Sequence, residues 1–245
     1  MTPTTIRLEI GGGSLIFEAF SPAEEHRIAQ YGDERPFLDY FLSKLDPDDI
    51  VFDIGASVGL FTLHAAACLQ GGKVYAFEPD PETRARLQHN YSLNPQLGNC
   101  CCVDWAVCDC EGEAILYSEG SAGRAPSLCR QASTQSPARG EVRVKTKRLD
   151  AAIAADELPL PDVLKIDIEG AEILCLLGAV KLLGGVWEKR PRLIFLETHP
   201  DFLPDFGSDT AEVFALLKTA GFDLVWQMER FNQCLCCFER FSPSA

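Results

Sequence analysis

The stretch IVFDIGASVGLFTLHAAACLQGGKVYAFEP, residues 50–79, decides the fold. It begins with β-branched and aromatic residues, turns at a glycine-containing segment, continues as a helix-forming segment and closes with a second apolar run that ends in Glu78. Two apolar strands joined by a helix are typical of a parallel sheet that is buried on both faces. The stretch therefore predicts half of a nucleotide-binding α/β fold.

Small residues form the turn between the first strand and the helix, at positions 55–59 (GASVG). Gly55 and Ala56 keep the turn free of bulky side chains, so the backbone can bend and approach a ligand. Gly59 lets the helix pack close to the strand, and the amides that open the helix present hydrogen-bond donors. Asp53, at the end of the strand, adds an acceptor, so the turn is a predicted ligand-binding segment.

The second strand is followed by Glu78 and Pro79, roughly 20 residues beyond the turn. An acid at this position pairs with ribose hydroxyls. An acid at this position favours a ribose without a 2′-phosphate. The pattern D-x-G-x-x-x-G differs from the dinucleotide pattern G-x-G-x-x-G, which favours a ligand without a pyrophosphate, such as S-adenosylmethionine. A nicotinamide-dependent oxidoreductase stays open as an alternative, supported by Glu78 and weakened by the turn spacing.

Four segments occur in a characteristic order: DIGASVGLFTL (53–63), VYAFEP (74–79), LKIDIEGAEILCLLGA (164–179) and RLIFLETH (192–199). From about residue 34 to its C-terminal end, the chain resembles the FkbM family of S-adenosylmethionine-dependent methyltransferases. The resemblance implies a Rossmann-like class I methyltransferase fold, with a seven-stranded, mostly parallel sheet, helices on both faces and a C-terminal antiparallel hairpin. It also implies O-methylation of a small hydroxylated molecule, with sugars and polyketides as acceptor classes. A non-catalytic interaction module of the same fold is a further alternative, which the intact turn and Glu78 disfavour.

The resemblance also implies positions for the rest of the cofactor site. Glu34 occupies the place of an acid beside the cofactor, and Asp104 to Ala106 follow the third strand, predicted over 100–108, where this fold contacts adenine. The carboxylate of Asp104 can accept from the exocyclic amine, and the indole of Trp105 can cover the ring. The alternatives are a solvated Glu34 and a Trp105 that is only a core aromatic. The predicted cofactor-binding residues are Glu34, Asp53, Gly55, Ala56, Gly59, Glu78, Pro79, Asp104, Trp105 and Ala106.

Acidic residues follow several predicted central strands, including those at 163–168 and 193–198. Because ligands of parallel α/β sheets bind outside the carboxyl ends of the strands, these acids are expected to meet in one crevice. Helix capping is the alternative explanation for each acid taken alone. The residues expected at this edge are Asp53, Glu78, Asp167, Glu169, Glu197 and His199.

His199 is the candidate general base, because among the four histidines it alone ends a predicted central strand. A neutral hydroxyl is a poor nucleophile, so O-methylation gains from a base or from a metal that acidifies the hydroxyl. A histidine that only caps the turn beside Pro200 is the alternative.

Lys165, Asp167 and Glu169 alternate along the preceding strand and its exit, so their side chains are expected on one side as a charged catalytic cluster. Asp167, Glu169 and His199 together offer oxygen and nitrogen ligands for a divalent ion. The same acids can instead orient substrate hydroxyls, so metal binding stays an open alternative.

Size and charge narrow the function classes. The 245 residues, 47% hydrophobic, are enough for one α/β core, predicted as an N-terminal hairpin and helix (1–45) packed on a methyltransferase domain (46–245). The net charge of −14 opposes binding to nucleic acids and anionic membranes. No apolar run approaches the roughly 18 residues of a membrane span, and the expected location is the cytoplasm. The residues name neither the acceptor nor an oligomeric state.

The eleven cysteines include no CxxC pair, and most fall in apolar segments. They are therefore expected to be small buried hydrophobes rather than zinc ligands, with disulfide pairing a lesser alternative. Residues 118–140 are rich in Ser, Gly, Ala and Pro without periodicity, which predicts a long loop. A substrate lid and a disordered segment are both compatible with that composition.

Overall fold

The predicted strand, turn, helix and second strand are present at the centre of a computed structural model, which describes residues 2–11, 13–118, 127–128 and 140–241. The strands in this part of the chain are β1 (Thr4–Ile10), β2 (Gly13–Ala19), β3 (Ile50–Ile54), β4 (Lys73–Phe77), β5 (Cys100–Val103), β6 (Ala106–Val107), β7 (Gly112–Ser118), β8 (Gly140–Lys147), β9 (Val163–Ile166), β10 (Leu193–Thr198), β11 (Phe222–Arg230) and β12 (Gln233–Arg240).

Helices connect most of these strands. They are α1 (Pro22–Ala29), α2 (Arg35–Ser43), α3 (Leu60–Cys68), α4 (Pro81–Ser92), α5 (Leu149–Ala154), α6 (Glu172–Leu177), α7 (Val180–Gly184) and α8 (Thr210–Thr219). Among the helices of the described ranges, none is both long enough and apolar enough to cross a bilayer.

The central sheet has seven strands in the order β11-β12-β10-β9-β3-β4-β5. The strands from β10 to β5 are mutually parallel, and β12 runs antiparallel to both β10 and β11, which confirms the predicted C-terminal hairpin. Ile54 is level with Phe77 on β4 and with Ile166 on β9. The residues that follow these three strands therefore lie at one edge of the sheet.

The N-terminal segment packs onto the same core as the sheet. The β1–β2 hairpin is antiparallel, and Phe17, Phe37 and Phe41 are fully buried with residues of β3 and β10. The side chain of Asn90 on α4 accepts a hydrogen bond from the backbone of β2 at 2.9 Å. The hairpin is thus as predicted, whereas a division of the chain at residue 45 stays a prediction.

The prediction of one continuous strand over 100–108 is wrong, because two shorter strands occupy this range. The chain forms β5 in the central sheet, breaks at Asp104, and forms β6 in a second sheet of order β6-β8-β7. The break lets the Trp105 ring turn inward, 5.1 Å from the ring of Phe77 in an edge-to-face contact. The strand predicted over 163–168 also ends early, at Ile166, because the next residues turn at the sheet edge.

The predicted loop at 118–140 lies almost wholly outside the described residues. Of its interior only 127–128 are described, where Ser127 forms a bridge with Tyr117 on β7. The cysteines agree with the prediction only in part. Ten described cysteines are free thiols, of which five are buried, whereas the three in β5 are half-buried and Cys68 and Cys110 are exposed.

Candidate active site

A cleft with about 660 Å³ of empty space, partly open to solvent, lies at the carboxyl ends of the central strands. A cleft at this edge is the typical position for a ligand of a parallel α/β sheet. Residues that follow β3, β4, β5 and β9 line it, and the second sheet closes one side. The predicted site residues that line it are Gly55, Glu78, Pro79, Trp105, Ala106, Asp167 and Glu169.

The turn after β3 brings the backbone to the cleft. Gly55 has a φ of +82°, and a Cβ there would lie 1.9 Å from the carbonyl oxygen of Asp167. Only glycine permits this approach of two backbone segments. Gly59, with a φ of +95°, precedes α3 at its N-cap position. A Cβ at Gly59 would meet side chains of Leu87 and Leu63 rather than the strand, so its positive φ, and not a close approach to the strand, favours glycine there.

Glu78 is buried at the end of β4 and faces the cleft. Its carboxylate accepts hydrogen bonds from the backbone amides of Ser57 at 2.9 Å and Asp80 at 3.0 Å. Burial raises the pKa of Glu78 to about 7, although these amide hydrogen bonds act in the opposite direction. The carboxylate is thus held in position between the glycine turn and the cleft.

Trp105 is both a core aromatic and part of the cleft wall, so the two interpretations of this residue, as a core aromatic and as a cofactor contact, are compatible. It is 6% exposed, packs on Phe77 and lines the cleft together with Ala106. Asp104 differs from the prediction, because its side chain is exposed and does not line the cleft. The inward turn of the tryptophan directs the preceding residue to solvent.

A buried charge cluster lies beneath the turn. The Lys165 ammonium lies 3.1 Å from the carboxylate of Asp53 and 3.5 Å from that of Asp167. Burial alone would lower the pKa of Lys165, but these two carboxylates raise it above its usual value. Thr62 donates to the other oxygen of Asp53 at 2.5 Å. The predicted alignment of Lys165 with Asp167 is present, and Lys165 stays protonated.

His199 is 2% exposed and does not line the cleft. Its Nδ1 donates to Glu172 at 2.6 Å, whereas its Nε2 has no hydrogen-bond partner. Burial alone would lower the pKa of His199, but the hydrogen bond to Glu172 and the charges of Glu169 and Asp167 raise it to about 10. A protonated imidazole cannot accept a proton, so this environment disfavours the predicted role of His199 as general base.

Glu169 reaches the cleft through an unusual backbone conformation. Its φ is +50°, and Gly170 follows at +94°, so two successive residues are left-handed. Such a conformation costs about 1–3 kcal/mol in a residue with a side chain and is concentrated at functional sites. Burial raises the pKa of Glu169 to about 7. Lys165 and Asp167 lie on one side of the strand, as predicted. Glu169 does not continue this alignment, because the turn directs its side chain to the cleft.

Glu34 and Glu197 are joined by an arginine that the sequence reasoning missed. Arg230 on β11 lies 2.7 Å from Glu197 and 3.1 Å from Glu34. Glu34 is buried behind the cleft rather than in its lining, and burial followed by the charge of Glu197 raises its pKa to about 7. The predicted solvated alternative for Glu34 is therefore wrong, and its contact with a cofactor stays a prediction.

Three other contributors were also missed by the sequence reasoning. Arg27 on α1 and Ser57 in the turn line the cleft, and Glu172 binds the histidine. Glu172 carries a usable signal, because an acid in the first turn of a helix after a strand-end acid lies near the same edge. The sequence contains no such signal for Arg27 and Arg230, since their positions depend on how the N-terminal helix and the C-terminal hairpin pack.

Comparisons with known proteins agree with this geometry. The family model for the methyltransferase FkbM domain matches residues 53–224. The hexuronic acid methyltransferase AglP of Haloferax volcanii is 27% identical, over 86% of this chain and 79% of the relative. The 31-O-demethyl-FK506 methyltransferase FkbM of Streptomyces tacrolimicus is 31% identical, over 76% of this chain and 77% of the relative.

Solved structures support the fold. Magnesium protoporphyrin IX methyltransferase from Synechocystis PCC 6803 has a TM-score of 0.51 at 12% identity, covering 90% of this chain and 85% of that chain. Precorrin-6y C5,15-methyltransferase from Geobacter metallireducens also has a TM-score of 0.51, at 15% identity over 84% of this chain and 87% of that chain. These likenesses show the fold. The family match spans most of the sequence and supports neither the oxidoreductase nor the interaction-module alternative, and the chain belongs to the FkbM family of S-adenosylmethionine-dependent methyltransferases.

Proposed function

We propose that the protein O-methylates a hydroxyl of a small molecule of the sugar or polyketide kind, with Glu169 as the group that accepts the hydroxyl proton. The observation that carries the proposal is the shared cleft. A carboxylate suited to a ribose, Glu78, and a carboxylate suited to proton transfer, Glu169, line the same space.

The residues present fit the methyl donor. Glu78 offers a fixed acceptor to ribose hydroxyls, Trp105 offers an apolar wall to a purine, and the approach of Gly55 to Asp167 leaves no side chain in the way. When bound, S-adenosylmethionine supplies a methyl group activated by a positively charged sulfur. The carboxylates of Asp167 and Glu169 favour a positive charge at this edge.

On the acceptor side, Glu169 lines the cleft with a side chain that is 15% exposed, compared with 10% for Asp167. In the proposed reaction the acceptor oxygen forms a bond to the methyl carbon while the carbon–sulfur bond breaks and the electron pair stays on sulfur. The hydroxyl proton passes to the carboxylate of Glu169. Lys165 and Asp167 hold the floor of the site rigid, which aligns the reactants.

The acceptor class is supported by the relatives and by charge. The relatives named above act on a hexuronic acid and on a demethylated FK506, both of them small molecules. The 2-O-methyltransferase NoeI of Sinorhizobium fredii is 25% identical over 75% of this chain and 76% of the relative. A net charge of −14 favours such acceptors over a nucleic acid.

A methyl-transfer screen tests this proposal. The purified protein is incubated with S-adenosylmethionine and panels of sugars, uronic acids, hydroxylated macrolides and RNA, and S-adenosylhomocysteine is quantified. We expect turnover with one of the hydroxylated small-molecule panels and none above background with RNA. Turnover with RNA alone would overturn the proposed acceptor class.

Binding of S-adenosylhomocysteine is expected to weaken as the pH falls below about 7. The pKa of Glu78 is about 7, and only its ionised form can accept hydrogen bonds from both ribose hydroxyls. The Kd from calorimetry should be constant at high pH and rise by up to about tenfold per unit below pH 7. A Glu78→Gln variant should bind weakly and lose this slope. A wild-type Kd independent of pH would contradict the assignment.

We also propose a cytoplasmic location. The support is chemical, since ten described cysteines are free thiols and free thiols persist in reducing compartments. Thiol titration of protein isolated under alkylating conditions tests it, and extensive disulfide formation would contradict it.

A further inference from the structure

We propose that Asp167, Glu197 and His199 form a binding site for a divalent metal ion beside the cleft. The proposal rests on the arrangement of side chains around one nitrogen atom, the Nε2 of His199. It concerns binding, which is independent of the proposed acceptor. The catalytic use of the ion rests on the proposed function.

The imidazole of His199 presents an unpartnered nitrogen to a set of carboxylates. The Nδ1 donates to Glu172, so a metal that displaces the proton from Nε2 would gain the lone pair of that nitrogen as a ligand. This Nε2 is buried without a hydrogen-bond partner, although three carboxylate oxygens surround it. The oxygens belong to Glu169 at 3.5 Å, Glu197 at 3.6 Å and Asp167 at 3.8 Å.

These separations are too long for good hydrogen bonds and close to those of ligands that share an ion. Ligands about 2.1 Å from a metal lie roughly 3 Å apart in an octahedral arrangement. The ligand atoms of Asp167, Glu197 and His199 all lie within 4.8 Å of one another, whereas Glu169 does not join this group. Small side-chain shifts would therefore complete a three-ligand site, with Glu197 in the place that the sequence reasoning gave to Glu169.

Each proposed ligand is held by a further charged side chain. Glu172 binds His199, and Lys165 lies 3.5 Å from the Oδ2 of Asp167. Arg230 binds Oε1 of Glu197 at 2.7 Å, and this is also the oxygen that faces the histidine, so an ion would share it with the arginine. The Oδ1 of Asp167 is then the oxygen nearer the histidine. Such an outer layer fixes the tautomer and orientation of ligands in metal sites. The three side chains are thus oriented before an ion arrives.

The charge balance of this region also favours a cation. Within the described ranges, six carboxylates interact here with four cationic side chains. The carboxylates are Glu34, Asp53, Asp167, Glu169, Glu172 and Glu197, and the cations are Arg27, Lys165, Arg230 and the imidazolium of His199. A divalent ion that displaces the imidazolium proton would offset most of the excess of negative charge.

Two carboxylates and one imidazole suit Mg²⁺, Mn²⁺ or another first-row divalent ion rather than a thiolate-seeking one. An ion at this position lies beside Glu169 and the acceptor side of the cleft. It would lower the pKa of a coordinated hydroxyl, which eases transfer of the hydroxyl proton to the nearby carboxylate.

Mn²⁺ binding to the full chain tests the proposal. Protein freed of metal by chelation and desalting is titrated with Mn²⁺, and free Mn²⁺ is followed by electron paramagnetic resonance. We expect one ion bound per chain. Glu197→Gln should weaken binding by at least about tenfold, and Glu172→Gln by about 10- to 100-fold through the orientation of His199. An Asp109→Asn variant is the matched control, because Cys108, Asp109 and Cys110 form the other described group with metal-ligand spacing.

Calorimetry with S-adenosylhomocysteine and circular dichroism on the same samples show that each variant is folded. Unchanged affinity for Mn²⁺ in both glutamate variants would overturn the proposal, as would its loss in Asp109→Asn alone. A wild-type protein that binds S-adenosylhomocysteine and no Mn²⁺ would also overturn it, and would leave the methyltransferase function intact. If Glu197→Gln does not fold, the Mn²⁺ affinity of Glu172→Gln alone tests the proposed site.

Discussion

A Glu169→Gln variant is expected to lose kcat by about 100- to 10,000-fold, the usual contribution of a general base. Glutamine has the same shape but cannot accept the hydroxyl proton, and the left-handed turn at Glu169 and Gly170 should persist. The Kd for S-adenosylhomocysteine should change little, because the cofactor contacts lie around Glu78. The measurement is kcat with an identified acceptor, together with calorimetry for the cofactor product.

One comparison separates loss of a base from a general disturbance. A Glu113→Gln variant changes an exposed acid that is paired with Arg143 on the second sheet, and its kcat should equal that of the wild type. If Glu169→Gln retained the wild-type kcat, the assignment of Glu169 would be wrong.

A Lys165→Met variant is expected to lower the free energy of unfolding by about 3–5 kcal/mol. The change leaves the carboxylates of Asp53 and Asp167 buried without the cation that lies 3.1 Å and 3.5 Å away. Methionine keeps the length of the side chain, so the loss reports charge rather than a cavity. Denaturant unfolding measured at pH 7 by circular dichroism gives the difference.

The matched control for this change is Lys189→Met. Lys189 also forms a close ion pair, 2.7 Å from Asp162, but its side chain is 46% exposed. Pairs at such exposed positions contribute about 0–1 kcal/mol, so this variant should be nearly as stable as the wild type. Equal losses in the two variants would show that the buried cluster has no special role in holding the floor of the site.

The site could be predicted from the sequence wherever it depends on the ends of parallel strands. Register places the residues after β3, β4 and β9 at one edge. Of the six residues expected there, Glu78, Asp167 and Glu169 line the cleft, whereas Asp53, Glu197 and His199 do not. The resemblance also predicted the seven-stranded, mostly parallel sheet with its C-terminal hairpin, whereas no order of the strands was predicted.

The partners of these residues could not be predicted in the same way. His199 ends a central strand, but its contact with Glu172 depends on how the helix after β9 packs on the sheet edge, and this contact governs its protonation. The inward turn of Trp105 follows from contact with Phe77 rather than from strand periodicity. Arg230 reaches the acids only after the C-terminal hairpin has paired. Local patterns contain none of these packing relations.

A crystal structure of the complex with S-adenosylhomocysteine is the measurement that tests the two-part cleft most directly. We predict the ribose at Glu78, the adenine against Trp105, and the sulfur directed at the edge formed by Asp167 and Glu169. Another large cavity lies at the opposite, amino ends of the strands, where Gly72 and Asn99 line it. Cofactor product bound there, or bound in the cleft with its sulfur directed away from Glu169, would contradict the account.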